Sequence, residues 1–385
     1  MMRRLSPLCA VLLVGCLSGE GAVFSGELDD MAADQAEASD LPAGAPDQAA
    51  ALDMPTGQPD LSEPPADMPP DMSVDMGPVD PCASIQCGAG ATCAAGVCRC
   101  SPGFSGDGTT CTPESPGDTA LRTREQVCQR WRADYGNRAQ QQWQLEPMTS
   151  CEVGVLHPDV VDDALRRMSL FRWLVGLGPV TSRPEHLVIT QACATTLAAS
   201  NRGLSHSLDN SWTCYSDDAR AGAGSSNIAM GVGNPADSVD LYIQDRGVPS
   251  LGHRRWIFNP PMGATGFGQR GAYSCMYSFD QSAGGAAEYV AYPAPGFFPQ
   301  DALLGVWSFS SSRHALSASS TVSITTAAGA PLTVSNIYVP DSGYGQPTLA
   351  WSVAGAQPDV EYIITLDNIG PSGPVTYRTT LVGCP

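Results

Sequence analysis

The chain has 385 residues, 15% of them charged, and a net charge of -19, enough length for two or three domains. All 20 basic residues are arginine and none falls between Arg4 and Arg99, whereas 14 Asp and Glu lie between Glu27 and Asp80. So acidic a chain without a basic stripe excludes nucleic acid as a partner, because phosphate neutralisation needs clustered cations.

Fourteen cysteines are too many for a reducing compartment and predict an exported, oxidised protein. The start agrees: Arg3 and Arg4 precede a short apolar run, Leu8 to Gly15, and Cys16 follows. That run is too short to cross a bilayer as a helix. Leu13-Val14-Gly15-Cys16 resembles a bacterial lipobox, which implies that residues 1–16 are a lipoprotein signal and that lipidated Cys16 becomes the membrane anchor. An ordinary signal peptide with an incidental cysteine is the plainer alternative. Leu17, rather than Asp, after that cysteine points to the outer membrane or cell surface. Residues 17–80 follow as a disordered linker rich in Pro, Asp and Met, with Asp-Met at 53–54, 67–68, 71–72 and 75–76. It holds too little apolar surface to offset its ordering entropy.

Cysteines at 82, 87, 93, 98, 100 and 111 crowd the next segment. With Cys98-Arg99-Cys100-Ser101-Pro102-Gly103-Phe104 and Gly106-Asp107-Gly108, their spacing resembles an EGF-like module over residues 81–113. The resemblance implies the pairs Cys82–Cys93, Cys87–Cys98 and Cys100–Cys111; the spacing alone leaves the pairing open. Its third loop, Ala94 to Val97, has no carbonyl-bearing side chain, which argues against the calcium site of some such modules.

Beyond Pro116 helical periodicity appears. Val161, Ala164, Leu165, Met168, Phe171 and Val175 make one buried stripe of a helix ending near Gly176, and a second helix is expected from Pro184 to Gly203. Gly263–Gly268 and Tyr273–Phe279 alternate as strands.

Around these elements run Gly176-Leu177-Gly178-Pro179, Leu204-Ser205-His206, Ser226-Asn227-Ile228-Ala229 and Leu251-Gly252-His253-Arg254-Arg255-Trp256. In this order, over about 120 residues, they resemble the CAP (SCP-like) superfamily. The resemblance implies an α-β-α sandwich over residues 118–290 and an open cleft holding two histidines, here His206 and His253, which could take a divalent metal such as zinc. The family's two cleft glutamates are not both matched: Ser226 stands where one is usual, and Asp245 is the candidate for the other. Asn227 is assigned to backbone support, and Arg254 and Arg255 to pairing with the domain's own acids. A Ser-His-Asp triad among Ser205, Ser207, Ser225, Ser226, His206 and Asp209 lacks a nucleophile elbow and is set aside. His157, His186 and His314 are assigned ordinary surface or turn positions.

Six cysteines remain, and sequence proximity pairs Cys128 with Cys151 and Cys193 with Cys214, leaving Cys275 for Cys384. Ala291 to Gly296 is read as a proline-rich hinge. After it, β-prone runs at Leu304–Ser310, Thr321–Thr326, Leu332–Val339, Leu349–Val353, Glu361–Leu366 and Val375–Val382 predict an Ig/fibronectin-like β-sandwich over 300–385, with Trp307 and Trp351 in its core. The fold class expected is therefore α+β. The function expected is a lipid-anchored surface protein whose CAP-type cleft binds a lipid, a cell-wall glycan or a protein without clear catalysis. Two alternatives stand beside it: an extracellular metal-dependent hydrolase using His206, His253 and Asp245, and a purely adhesive surface protein.

Overall fold

The computed structural model describes residues 82, 84–88, 91–94, 96–100, 104–113, 117–135, 150–370 and 373–385. The signal, Cys16 and the linker lie outside the described residues.

The protein mixes helices with several sheets. Its first unit is built from two antiparallel hairpins, β1 (Ala91–Ala94) with β2 (Val97–Cys100), and β3 (Phe104–Gly106) with β4 (Cys111–Pro113). Four strands this short bury almost no core, so covalent bridges hold them. The bridges are Cys82–Cys93, Cys87–Cys98 and Cys100–Cys111, the pairing implied by the EGF-like resemblance.

Helix α1 (Arg124–Tyr135) opens on a capping box, in which Thr123 Oγ1 accepts from Gln126 N at 3.2 Å and Thr123 N donates to Gln126 Oε1 at 2.8 Å. Helix α2 (Pro158–Leu174) carries proline in its first turn and ends ahead of Gly176 at φ 81°. The whole expected stripe from Val161 to Val175 is buried, but so are Asp163, Arg166, Arg167 and Arg172, so α2 is covered nearly all round. Arg172 shows how: its guanidinium donates to the carbonyls of Gly178, Ile257, Asn259 and Met262 at 2.6–3.0 Å, and burial lowers its pKa to about 9.

After β5 (Thr181–Ser182), helix α3 (Pro184–Ser200) stops three residues short of Gly203, because Asn201 takes the left-handed conformation at φ 48°. Helix α4 (Asp217–Gly224), capped by Ser216, leads into β6 (Ser226–Met230), α5 (Pro235–Gln244) and α6 (Gly252–Ile257). The run expected as one strand from Gly263 is split into β7 (Ala264–Thr265), which pairs in parallel with β5, and β8 (Phe267–Arg270). With β9 (Tyr273–Tyr277), β8 and β6 form an antiparallel sheet in the order β6-β9-β8.

The pleat of that sheet sorts its side chains. Ile228, Tyr273 and Cys275 face α3 and α4, where they join Cys193, Leu197, Ala219 and Ala223. Ala229, Phe267 and Met276 face α2 and α5, in a cluster with Ala164, Met168, Val239 and Ile243. Helix α3 lies so close on β8 that a Cβ at Gly268 would stand 2.1 Å from Thr190 O.

The chain then enters two four-stranded sheets. Strands β10 (Val290–Tyr292), β12 (Trp307–Ser310), β14 (Thr333–Tyr338) and β15 (Thr348–Ala354) form one, in the order β10-β12-β15-β14. Strands β11 (Gly296–Pro299), β13 (Thr321–Thr326), β16 (Val360–Asp367) and β17 (Val375–Val382) form the other, in the order β11-β17-β16-β13. All six expected strands have counterparts here, and Trp307 pairs with Trp351 in a buried register. The supposed hinge is corrected: Val290, Ala291, Tyr292 and Ala294 are buried, and the segment delivers one strand to each sheet. One apolar cluster runs from α2 and α5 through both sheets, including Phe309, Trp351, Tyr362 and Ile364.

All three remaining bridges differ from the proximity pairing. Cys128–Cys151, Cys193–Cys214 and Cys275–Cys384 are replaced by Cys128–Cys384, Cys151–Cys214 and Cys193–Cys275. The cause is burial geometry: Cys193 on α3 and Cys275 on β9 face one another across the α3–sheet layer, both fully buried, and no other cysteine reaches that interior. The tie to the C-terminus accordingly runs from α1.

Candidate functional site

His206 sits in the loop between α3 and α4, and His253 is the second residue of α6. Each ring is half-buried and each is held by its Nδ1. His206 Nδ1 lies 2.8 Å from the carbonyl oxygen of Ala223. A carbonyl can only accept, so Nδ1 carries the proton and Nε2 presents its lone pair. Desolvation lowers the His206 pKa below the usual imidazole value; the Ala223 bond opposes that, and the proximity of a second protonatable ring, His253, adds to it. His206 is therefore neutral at pH 7.

His253 Nδ1 is 2.7 Å from Asp245 Oδ1. Asp245 ends α5 in a left-handed conformation at φ 51°, which turns its carboxylate toward the first turn of α6. Its second oxygen, Oδ2, accepts from Arg254 N at 3.1 Å. Both carboxylate oxygens are thereby engaged in orienting His253, an arrangement that also leaves Nε2 as the unengaged ring atom. The ring packs over Tyr242, with centroids 5.4 Å apart and planes 25° from parallel. From β6, Asn227 Nδ2 donates to the His253 carbonyl at 3.0 Å, while the Tyr242 hydroxyl donates to Asn227 O at 3.0 Å. Asn227 thus joins α5 and α6 through backbone groups.

Ser226 alternates to the other side of β6 from Asn227 and is buried, with no hydrogen-bond partner for Oγ among the described residues. The triad candidates are committed elsewhere. Asp209 Oδ1 accepts from Ser211 N at 2.9 Å and from its hydroxyl at 2.6 Å. Ser205 bonds Ser207, and Ser225 donates to Ala221 O.

Arg254 and Arg255 correct an expectation. Neither guanidinium pairs with an acid among the described residues; both donate to backbone carbonyls at the end of α5, before α6 and in turns of the C-terminal sheets. Arg254 reaches Ile243 O at 2.6 Å, Val306 O at 2.7 Å and Leu304 O at 2.9 Å, with its guanidinium over the Tyr292 ring. Arg255 reaches Asp341 O at 2.6 Å, Ser250 O at 2.9 Å and Gln346 O at 3.2 Å, and burial lowers its pKa to about 10. Carbonyls that close no ladder need such donors, and the adjacent Asp245 is turned instead toward His253 Nδ1 and Arg254 N. The two arginines directly follow His253, so the turns of the C-terminal sheets help fix the helix that carries it. Gly252 allows the contact: a Cβ there would meet the Tyr344 ring at 2.7 Å.

His186 is a second correction. It is buried and stacked on Tyr277 at 3.8 Å, and desolvation lowers its pKa. His157 caps α2, and His314 lies 2.9 Å from the Ser311 hydroxyl.

Comparison with family models, with curated proteins and with solved structures returned no match.

As a donor set, the two imidazoles offer a metal two ring nitrogens. Both show what a histidine metal ligand needs: Nδ1–H given to a carbonyl or carboxylate, and Nε2 left as the lone pair. The set stops at two, since among the described residues no group of three or more His, Cys, Asp or Glu could hold an ion. A site of this kind fits a metal that keeps several positions for water or another molecule.

Proposed function

We propose that the chain is an exported, lipid-anchored envelope protein in which a CAP-type domain acts as a binding module, its cleft formed around His206 and His253. The six disulfides support an oxidising compartment, and no helix among the described residues is long and apolar enough to cross a membrane. The CAP assignment rests on the ordered motifs and on the layering of α3 and α4 against α2 and α5 across a small antiparallel sheet. An Ig/fibronectin-type assignment for the two C-terminal sheets rests on their strand pattern.

The observation that carries the binding role is the shared pattern at the two rings: each Nδ1 is tied, and each Nε2 is left for a ligand. His206 and His253 would hold a divalent ion such as zinc, which would supply open coordination positions to a lipid, glycan or protein donor. Binding is favoured over hydrolysis because hydrolysis needs a base near an activated water. Asp245 has both oxygens engaged, and Ser226 supplies no carboxylate.

Calorimetric titration of the full-length chain with zinc tests this reading. One equivalent should bind with micromolar affinity, His253→Ala should abolish it, and Asp245→Asn should weaken it about 10–100-fold. Absence of binding in the unaltered chain would remove the metal-linked role.

A second reading keeps one observation of its own, the Asp245–His253 pair, which is also how a general base is oriented. It requires hydrolytic activity that Asp245→Asn reduces.

A further inference from the structure

A cavity of ≈ 760 Å³ lies between the small disulfide-bridged unit and helices α1 and α2, and none of its lining residues belongs to the histidine site. We propose that it is a second binding site, for an acidic saccharide of one to two rings, with Arg99 as the principal carboxylate contact and Gln126 and Gln129 meeting its hydroxyls.

Charge supports the sign of the ligand. The lining carries Arg99, Arg122, Arg130 and Arg166 against only Asp107 and Asp134, in a chain whose net charge is -19. Most of these charges already have protein partners. Arg130 is bound to Asp134, and Arg166 to Asp163 at 3.1 Å. Asp107 accepts from the amides of Thr109 at 2.9 Å and Thr110 at 2.8 Å, which hold its pKa down. Arg122 lies flat over Trp173, 3.9 Å from the ring, and donates to that residue's carbonyl.

Arg99 differs. It stands on β2 between two bridged cysteines, partly buried, with no ion pair within 4 Å among the described residues. Desolvation first, and then the charge of Arg166, lower its pKa; the acids around it pull the other way only from a distance. A guanidinium held this way, desolvated and short of an anion, is what a carboxylate-bearing ligand would complete.

The rest of the wall favours a sugar over a bare anion. Gln126 spends Oε1 on the cap of α1, which leaves its amide N–H groups to donate. Gln129 adds a second amide, and Phe104 supplies flat apolar surface, while Trp173 backs the wall beneath Arg122. Amides for hydroxyls, an aromatic wall and an arginine for the carboxylate are the groups that such a ligand needs.

The test uses digalacturonate as probe on the full-length chain, with cellobiose and inorganic phosphate as comparison ligands, by isothermal titration. Digalacturonate should saturate one site, and its affinity should fall as salt rises. Arg99→Ala should weaken it about tenfold or more, as expected for one charge-assisted contact, and Arg99→Lys should restore part of the loss. Gln129→Ala offers a second perturbation remote from the bridges, expected to weaken binding about threefold. His253→Ala should leave binding unchanged, which separates this site from the histidine cleft. No saturable binding, equal binding of cellobiose or of phosphate, insensitivity to both Arg99→Ala and Gln129→Ala, or loss in His253→Ala would each overturn the proposal.

Discussion

The small bridged unit and the larger body of helices and sheets use the same covalent device for different purposes. In the first, each bridge links residues 11 apart and stands in for a core that four short strands cannot make. In the second, the bridges span 63, 82 and 256 residues and connect elements that already pack. Cys193–Cys275 lies inside a fully formed layer, and Cys128–Cys384 ties the first helix to the last strand's tail. Local bridges define a fold, whereas long-range ones lock one that packing has defined.

That contrast can be broken at several points. The largest effect should come from Cys193→Ser with Cys275→Ser: closing 82 residues limits the unfolded chain enough to contribute about 4 kcal/mol, read as a lower midpoint in urea. If packing has defined the fold, the double variant still folds, and loss of the near-UV signal without denaturant would count against the account. Next is Arg172→Met, which leaves four carbonyls, one at the end of α6 and three in loops, without their buried donor and should cost about 3–4 kcal/mol. An unchanged midpoint there would mean that the carbonyls find other partners. Cys87→Ser with Cys98→Ser should remove only about 3 kcal/mol, yet abolish protection from hydrogen exchange throughout the small unit while the body stays protected. Retained protection in the small unit would show a core that the strands alone do not supply.

How much of this was legible follows the same division. The stripe on α2 and the strand runs after Leu303 were readable because each is a local pattern, whereas the bridges of the small unit came only from the EGF-like resemblance, since spacing alone leaves their pairing open. The long bridges were not, since proximity in sequence says nothing about which cysteines share an interior. Nor was the role of Arg254 and Arg255. A sequence shows two cations beside a histidine, but it does not show that the carbonyls of Val306, Leu304 and Asp341 arrive there with no ladder to join. The role of Arg172 depends on such carbonyls too, and its place on the buried helix is the one signal of it in the sequence. The hinge was misread because prolines suggested a linker, while Val290, Ala291 and Tyr292 carried the strand pattern beside them.

At the site, the two histidines and Asp245 were reached through motif order, and the structure adds the tautomer. Protonation follows from it. The His206 pKa is lowered in the folded chain, so its neutral form supports stability above the unfolded value near 6.5, and that support is lost as pH falls through the lower folded value.

Long-range hydrogen–nitrogen spectra of the histidine rings, recorded from pH 8 to pH 5 with and without zinc, test the central claim most directly. The arrangement predicts a proton on Nδ1 of both His206 and His253, a His206 midpoint below 6.5, and zinc-induced shifts at the two Nε2 atoms alone. An Nε2–H tautomer at either ring, or zinc shifts at His157, His186 or His314 instead, would contradict it.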